Sequence, residues 1–413
     1  MKKVRIPLWG KILIGLFLGV VCGLILGDKA LYLKPIGTLF INGIKMLIVP
    51  LVFSSLIVGV TSIEDMGKMG RIGLKTVIIY AITTIFAIII GLGLSWITNP
   101  GVGASLQAAS SANSAIKAAP SFIDTLVNMV PANPIGALAK GEILQIIIFA
   151  IFLGIAINLT GKKAKPVKVF FEGLAEIMYK LTSIIMAFAP YGVFALIAAV
   201  IGQYGIEFLL PLLKVVLTVY AACIIHSVLI LGGSLAFVAR LNPMRFFNGF
   251  LDATLLAFST SSSSAALPAS LRCTQKNLGV SKSISSFVLP LGATINMNGT
   301  AIYQGVCAVF IAQAYGIDLS ISNYVTIVLT SVLAAVGTAG VPGAGLIMLA
   351  LVLNSVGLPI EGIAIIAGID RILDMARSTV NVVGDGVAAI LVAKSEKELD
   401  VEVYKHKGVY LRR

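Results

Sequence analysis

Residues 363–388 read IAIIAGIDRILDMARSTVNVVGDGVA, an apolar stretch long enough to cross a bilayer that nevertheless holds five charged side chains. In hydrocarbon each such charge costs several kcal/mol unless it is paired or hydrated. Asp370, Asp374, Arg377, Asn381 and Asp385 recur at helical spacing and, at about 100° per residue, fall within one narrow stripe. Arg371 lies about 100° from that stripe and must face a different partner. Three carboxylates against one guanidinium leave the stripe with excess negative charge. A purely structural ion-pair network would balance its charges, and buried pairs contribute little net stability. The excess points instead to bound cations: a substrate ammonium, metal ions or protons. A small zwitterion suits the residue types. Arg377 forks onto a carboxylate and Asp374 accepts an ammonium. Asn381 donates to a second carboxylate, and Asp385 offers hard oxygen to an alkali cation.

The neighbouring sequence follows the same grammar. From about residue 244, apolar runs are interrupted at mid-segment by small polar clusters: 259–264 (STSSSS), 296–300 (NMNGT) and 337–345 (GTAGVPGAG). Non-helical backbone at membrane depth is tolerated only where it is buried in protein or lines a wet cavity. The serine-rich and glycine-rich clusters therefore read as tips of re-entrant hairpins, with 296–300 as the break in an interrupted helix. Hairpin, broken helix, hairpin, broken helix is the layout of inverted-repeat transporters that bind at the midplane. Asn296, Asn298 and Thr300 supply oxygens suited to a sodium ion, although short amides also serve as packing patches between helices. Tyr80, Thr83 and Thr84 place hydroxyls along the third apolar segment. By pattern alone the threonines bond back to their own helix.

Composition makes the chain a membrane protein. Of 413 residues, 58% are hydrophobic and 12% charged, against about 25% charged in soluble domains. The mean hydropathy is +1.00. Further apolar stretches lie near 8–27, 37–62, 74–98, 143–160, 169–201, where Pro190 predicts a kink, and 208–239. The net charge of +13 collects at the chain ends and in short loops: Lys2, Lys3, Arg5 and Lys11; Lys68, Arg71 and Lys75; Lys162, Lys163, Lys165 and Lys168; Arg240 and Arg245; Lys405, Lys407, Arg412 and Arg413. That is a positive-inside pattern rather than a nucleic-acid patch, and it places both termini in the cytoplasm. The N-terminus has the outline of a signal peptide without a cleavage site and reads as a first transmembrane helix. Residues 99–140, rich in Ala, Ser, Asn and Pro, read as an extracellular loop with a short or broken helix. Cys22, Cys223, Cys273 and Cys307 lack metal-site or disulfide spacing. No P-loop, GxSxG or HExxH is present, and His226 and His406 are the only histidines, so no enzyme template fits. An ion gradient is the energy source that remains.

Four motifs, FSTSSSSAALP (258–268), LPLGATINMNGTAIYQ (289–304), GTAGVPGAG (337–345) and GIDRILDMARSTVNVVGD (368–385), resemble in order and spacing the glutamate transporter family of dicarboxylate/amino acid:cation symporters. The resemblance implies an all-α membrane fold of eight transmembrane helices and two re-entrant hairpins, assembled as a homotrimer that works as an elevator. It divides the chain into scaffold helices 1 and 2 (1–72), transport helix 3 (73–98), the extracellular loop with scaffold helices 4 and 5 (99–201), transport helix 6 (202–240), a transport core (241–395) and a cytoplasmic tail (396–413). It further implies that Arg377, with Thr300, holds the substrate's side-chain carboxylate, Asp374 the amino group, and Asn381 with backbone near Ser262 and Ser263 the main carboxylate. Ser378 and Gly345 would line the pocket, and Asp370 and Arg371 would support it. One sodium would sit at Asp385 with Asn296 and Asn381, and a second at Thr294 and Met297 with carbonyls near Ala335, Val336 and Thr338. A third would sit at Tyr80, Thr83, Thr84, Asn296 and position 298.

Three departures from the family pattern matter. Asn298 stands where sodium-coupled members carry an aspartate, which predicts a weaker third ion site. Ser261 stands where archaeal members carry an arginine, a cation that Arg371 replaces. Proton-coupled relatives also carry an arginine at the Arg371 place, but they tend to lack the aspartate at Asp385. With both Asp374 and Arg377 present, the resemblance implies an acidic amino acid, aspartate or glutamate, carried with sodium across the cell membrane without an organic cofactor. A proton-coupled symporter for glutamate or a C4-dicarboxylate is the alternative, and an anion channel fits less well.

Overall fold

The computed structural model describes residues 8–61, 68–104, 127, 130–338, 340 and 343–405; these form helices joined by short turns, with a single isolated bridge between Val280 and Leu399 in place of any strand among them. The N-terminal half contains α1 (Leu8–Leu26), α2 (Lys34–Thr61), α3 (Lys68–Thr98), α4 (Pro134–Lys140), α5 (Ile143–Thr160), α6 (Lys165–Ala187) and α7 (Ala189–Tyr204). Next comes α8 (Leu209–Ile225), continued by wide π-helical turns over His226–Gly232 and Ser234–Val238. The C-terminal half contains α9 (Pro243–Gly249), α10 (Leu251–Thr260), α11 (Ser263–Arg272), α12 (Lys282–Ile295), α13 (Asn298–Ala314), α14 (Ile321–Gly337), α15 (Ala344–Ser355), α16 (Ile363–Ser395) and α17 (Val401–Lys405).

Among the described residues, four stretches are long and apolar enough to cross a membrane: Gly10–Phe40, Gly70–Thr98, Leu209–Val238 and Ile360–Ser395. The last is both the least apolar, at a mean hydropathy of 1.3, and by far the most enclosed, with 83% of its apolar window buried. A helix carrying that many charges is tolerated because the other elements wrap it. The expected kink at Pro190 is a full interruption: α6 stops at Ala187, α7 restarts at Ala189, and the proline occupies the first turn of α7, where its missing N–H costs nothing. The short helix expected within 99–140 is α4, with Asn133 capping it by accepting from the Gly136 amide at 3.0 Å. Lys2, Lys3, Arg5, Lys407, Arg412, Arg413 and most of that loop lie outside the described residues.

Backbone contact dominates the N-terminal packing. Gly15, Gly19 and Gly23 recur every fourth residue on α1 and face the carbonyls of Pro190, Phe194 and Ala198 on α7, so close that a Cβ at each glycine would lie 2.4–2.7 Å from the oxygen. Small residues at this spacing let two helix backbones meet, which is how helices associate where no water drives them together. The C-terminal helices close around α16. At one end, Arg71 and Lys75 from α3 both grip the Glu396 carboxylate, at 2.8 and 2.6 Å. These hydrogen bonds, Arg71's first and Lys75's second, pull the Glu396 carboxyl down to about 2. The stabilisation is therefore complete above the ordinary carboxylate range and is lost only as pH falls toward that value. The chain beyond continues to dock: Ser281 Oγ donates to Glu398 at 2.6 Å, and buried Tyr404 donates to the Asn242 carbonyl at 2.9 Å. The first part of the segment expected as a cytoplasmic tail, residues 396–405, is thus tied to the helical body at Glu396, Glu398 and Tyr404.

Candidate functional site

The polar stripe lies on one helix as its spacing predicts, and Asp370, Asp374, Arg377, Asn381 and Asp385 are all buried. Its centre is Arg377. Nη2 approaches Asp374 Oδ1 at 2.7 Å, Nε donates to the same oxygen at 3.1 Å, and Nη1 donates to Asp370 Oδ1 at 3.3 Å. One face of the guanidinium rests on the Tyr303 ring, 4.5 Å from its centroid. The Gly345 backbone closes against it so tightly that a Cβ there would fall 2.2 Å from Nη1. Asp374 is held in turn by Ser378 Oγ at 3.1 Å and by the Gly343 amide, which donates to Oδ2 at 2.9 Å. The glycine-rich tip thereby touches the carboxylate through backbone, and Gly343 can do so because its φ of 82° lies in the left-handed region.

Between α12 and α13 the helix breaks at Asn296 and Met297, as the NMNGT cluster predicts. Asn296 Nδ2 donates to Asp385 Oδ1 at 2.8 Å, while Asn296 Oδ1 is buried without a partner. Asn381 accepts the Gly299 amide at 2.8 Å and directs Nδ2 toward Met297 sulfur at 3.1 Å and Thr300 Oγ1 at 3.4 Å. Tyr80 donates to the Val288 carbonyl at 3.0 Å, and Thr83 bonds back to Ile79 at 2.9 Å. Thr84 departs from the expected i−4 bond and donates across to Asn298 Oδ1 at 2.8 Å. The Asn298 Nδ2 is buried with no acceptor. A cation placed there would meet an N–H group where a carboxylate would offer lone pairs. Thr294 and Thr338 both donate to their own helices, to Leu291 and Ala334 at 2.9 and 2.7 Å. Ala335 is buried beside them and Val336 lies in the last turn of α14.

The two tips meet. Ser262 Oγ donates to the Gly340 carbonyl at 2.6 Å, and the Ser264 amide donates to the same oxygen at 3.1 Å. Ser263 opens α11, buried beside them, and Ser261 makes the turn with a φ of 53°. Ala339, Val341 and Pro342 of the glycine-rich tip lie outside the described residues. Arg371 reaches the carbonyl of Thr260, next to Ser261, at 3.4 Å. Tyr303 was not singled out in the sequence, although it follows Thr300 by three residues and so sits one turn along the same face of α13.

The sequence pattern of the sodium:dicarboxylate symporter family matches residues 8–395, a span that includes every residue of this site. The chain belongs to that family. The resemblance carried by the four motifs is therefore borne out. Among symporters of this family, the chain is 42% identical to the proton/sodium-glutamate symport protein of Geobacillus stearothermophilus, over 96% of each chain. It is 38% identical to the proton/glutamate-aspartate symporter of Escherichia coli (strain K12), over 97% of this chain and 95% of that one. It is 37% identical to the C4-dicarboxylate transport protein of Paraburkholderia xenovorans (strain LB400), again over 97% and 95%. The relatives are transporters, so an enzymatic role has no support from them.

Proposed function

We propose that this protein is a secondary symporter for acidic amino acids, aspartate or glutamate, driven by sodium. The observation that carries the reading is the buried Arg377–Asp374 pair beneath Gly343 and Gly345. A guanidinium and a carboxylate of opposite charge, already in contact, are the two groups a substrate with both a carboxylate and an ammonium exchanges into, one for one. Asn381 and Thr300 stand ready for a further carboxylate oxygen, and Asp385 with the unpartnered oxygen of Asn296 forms an oxygen-rich cation site. Family membership favours a trimer with scaffold helices α1, α2 and α5–α7, a moving body of α3 and α8–α16, and re-entrant tips in the serine-rich cluster 259–264 and the glycine-rich cluster 337–345. The basic loops support cytoplasmic termini.

A proton-coupled carrier of glutamate or a C4-dicarboxylate is the second reading. It is favoured by relatives named for proton and for C4-dicarboxylate transport, and by an amide rather than a carboxylate at Asn298. Purified protein in liposomes, given labelled aspartate or succinate under separately imposed Na⁺ and pH gradients, decides between them. The sodium reading expects aspartate accumulation with an inward Na⁺ gradient alone, and uptake driven by pH alone overturns it. In the same vesicles Asp374→Ser should lower aspartate uptake far more than succinate uptake, because only aspartate carries an ammonium. Equal losses would remove Asp374 from that role.

Asn298 gives a sharper ionic test. Asn298→Asp replaces the unpartnered N–H group by an oxygen and keeps an acceptor for Thr84. We expect a lower half-saturating Na⁺ concentration and a steeper Na⁺ dependence of aspartate uptake. A sodium activation curve superimposable on that of the unmodified protein would show that this position does not touch a coupling ion.

A further inference from the structure

The base of α3 is tied to the end of α16 by one carboxylate. Glu396, the first residue past α16, receives Arg71 as a fork, Nε to Oε1 at 3.2 Å and Nη2 to Oε2 at 2.8 Å. Lys75, one turn further along α3, donates to the same Oε1 at 2.6 Å and to Ser395 Oγ at 3.1 Å. Only 5% of the Glu396 side chain is exposed, so salt screens the clamp weakly. From Arg71 to Ile79, every side-chain hydrogen bond from α3 to another element among the described residues ends on Ser395 or Glu396. The next side chains along α3 that reach other elements are the hydroxyls of the candidate ion site. Thr84 donates to Asn298 Oδ1 at 2.8 Å, and Thr83 Oγ1 lies 3.4 Å from the same oxygen. The Tyr80 hydroxyl and Asp385 Oδ1 both press on Gly292, where a Cβ would fall 2.5 and 2.4 Å from them. The ion site is thus assembled from three separate pieces of chain: α3, the break between α12 and α13, and α16.

We propose that Glu396 is a positioning residue for the ion site. Its clamp on Arg71 and Lys75 sets the height of α3 against α16, and so the height of Tyr80, Thr83 and Thr84 against Asp385 and Asn298. The inference rests on the sodium reading above and adds a group that acts on the ion from a distance. A helix is stiff along its axis and rises about 1.5 Å per residue, so Lys75 stands about 13.5 Å from Thr84, and Glu396 about 16.5 Å from Asp385. A slip at the base therefore arrives at the site undiminished. A binding constellation tolerates about 0.5 Å of misplacement, roughly a third of one residue's rise. Two cations on one carboxylate, one of them a planar fork, resist slips of that size because every hydrogen bond in the clamp lengthens at once.

The test uses the full chain as Glu396→Gln and Glu396→Asp, and as the double variant Arg71→Gln with Lys75→Gln, which cuts the clamp from the α3 side. Uptake in liposomes gives the Na⁺ concentration that half-activates aspartate transport and the aspartate KM at saturating Na⁺. Thermal unfolding of the purified protein in Na⁺, against K⁺ at the same ionic strength and without aspartate, reads ion binding apart from transport. Residues that act on a site through a network of contacts shift it by about twofold to thirtyfold. Glu396→Gln should raise the half-activating Na⁺ concentration within that range and shrink the Na⁺-induced thermal shift, while the aspartate KM at saturating Na⁺ stays as it was. The double variant should do the same, and Glu396→Asp should restore most of both readouts. A lower melting temperature with the Na⁺ activation curve unmoved marks a merely structural clamp and overturns the proposal. So does an equal rise in the aspartate KM at saturating Na⁺, since that puts the fault at the substrate. If the unmodified protein answers to Na⁺ in neither assay, the sodium reading falls and this inference with it; a Na⁺ response left intact by Glu396→Gln removes Glu396 alone.

Discussion

Arg377→Ala should abolish aspartate uptake and at the same time destabilise the folded protein. The two losses have one cause. Arg377 is the only cation in contact with Asp370 and Asp374 among the described residues, so its removal leaves two buried carboxylates facing each other. Removing one member of a buried pair costs about 3–5 kcal/mol, because the remaining charge is stranded. For the substrate, truncation of a buried, hydrogen-bonded charge partner should weaken binding by at least about thirtyfold. Arg377→Lys separates the effects. An ammonium still neutralises the aspartates but cannot fork onto a carboxylate or lie flat between Tyr303 and Gly345. The lysine variant should therefore recover melting temperature without recovering transport. Aspartate uptake at full affinity in either variant would remove Arg377 from the substrate site.

The second large effect is expected from a glycine. At Gly299 a Cβ would lie 2.2 Å from the Arg377 carbonyl oxygen and 2.7 Å from its Cα, so the obstacle is backbone and cannot rotate away. Gly299 also delivers its amide to Asn381. Gly299→Ala must push the start of α13 off α16, and with it Asn296, Met297 and Thr300. We expect a loss of about 1–3 kcal/mol from overpacking and transport at background level. Gly345→Ala is the contrasting case, because there the new methyl meets the tip of the Arg377 side chain. A side chain can move, so that variant should fold and show its defect in substrate affinity. Melting temperature and uptake measured on both glycine variants distinguish the two. If Gly299→Ala transported normally, the close packing of α13 on α16 would not matter to function.

The part of the site that could be read from the sequence is the part that breaks a rule. Charges inside an apolar run, at helical spacing, read as a buried stripe, so Asp370, Asp374, Arg377, Asn381 and Asp385 declare their shared face in the sequence itself. The NMNGT break and both tips were legible for the same reason: polar, small or helix-breaking residues have no business at mid-membrane without a purpose. What could not be read was pairing across elements. Nothing in the local pattern of Thr84 distinguishes a bond to its own helix from one to Asn298, more than two hundred residues away. Tyr303 passes for an ordinary core aromatic until Arg377 is seen on its face. Nor could the sequence show that Glu396 and Glu398 each have a partner brought from far along the chain.

The shared acceptor at Gly340 has a consequence for leakage. One carbonyl oxygen serves two donors from the serine-rich turn, Ser262 Oγ and the Ser264 amide. Withdrawing either tip strips both donors at once, and each buried group left unmatched costs about 1–3 kcal/mol. On the proposed transporter reading, in which the two turns gate the site, neither can part without breaking both bonds, so an empty site is held shut against uncoupled ion flow until something in the pocket replaces them.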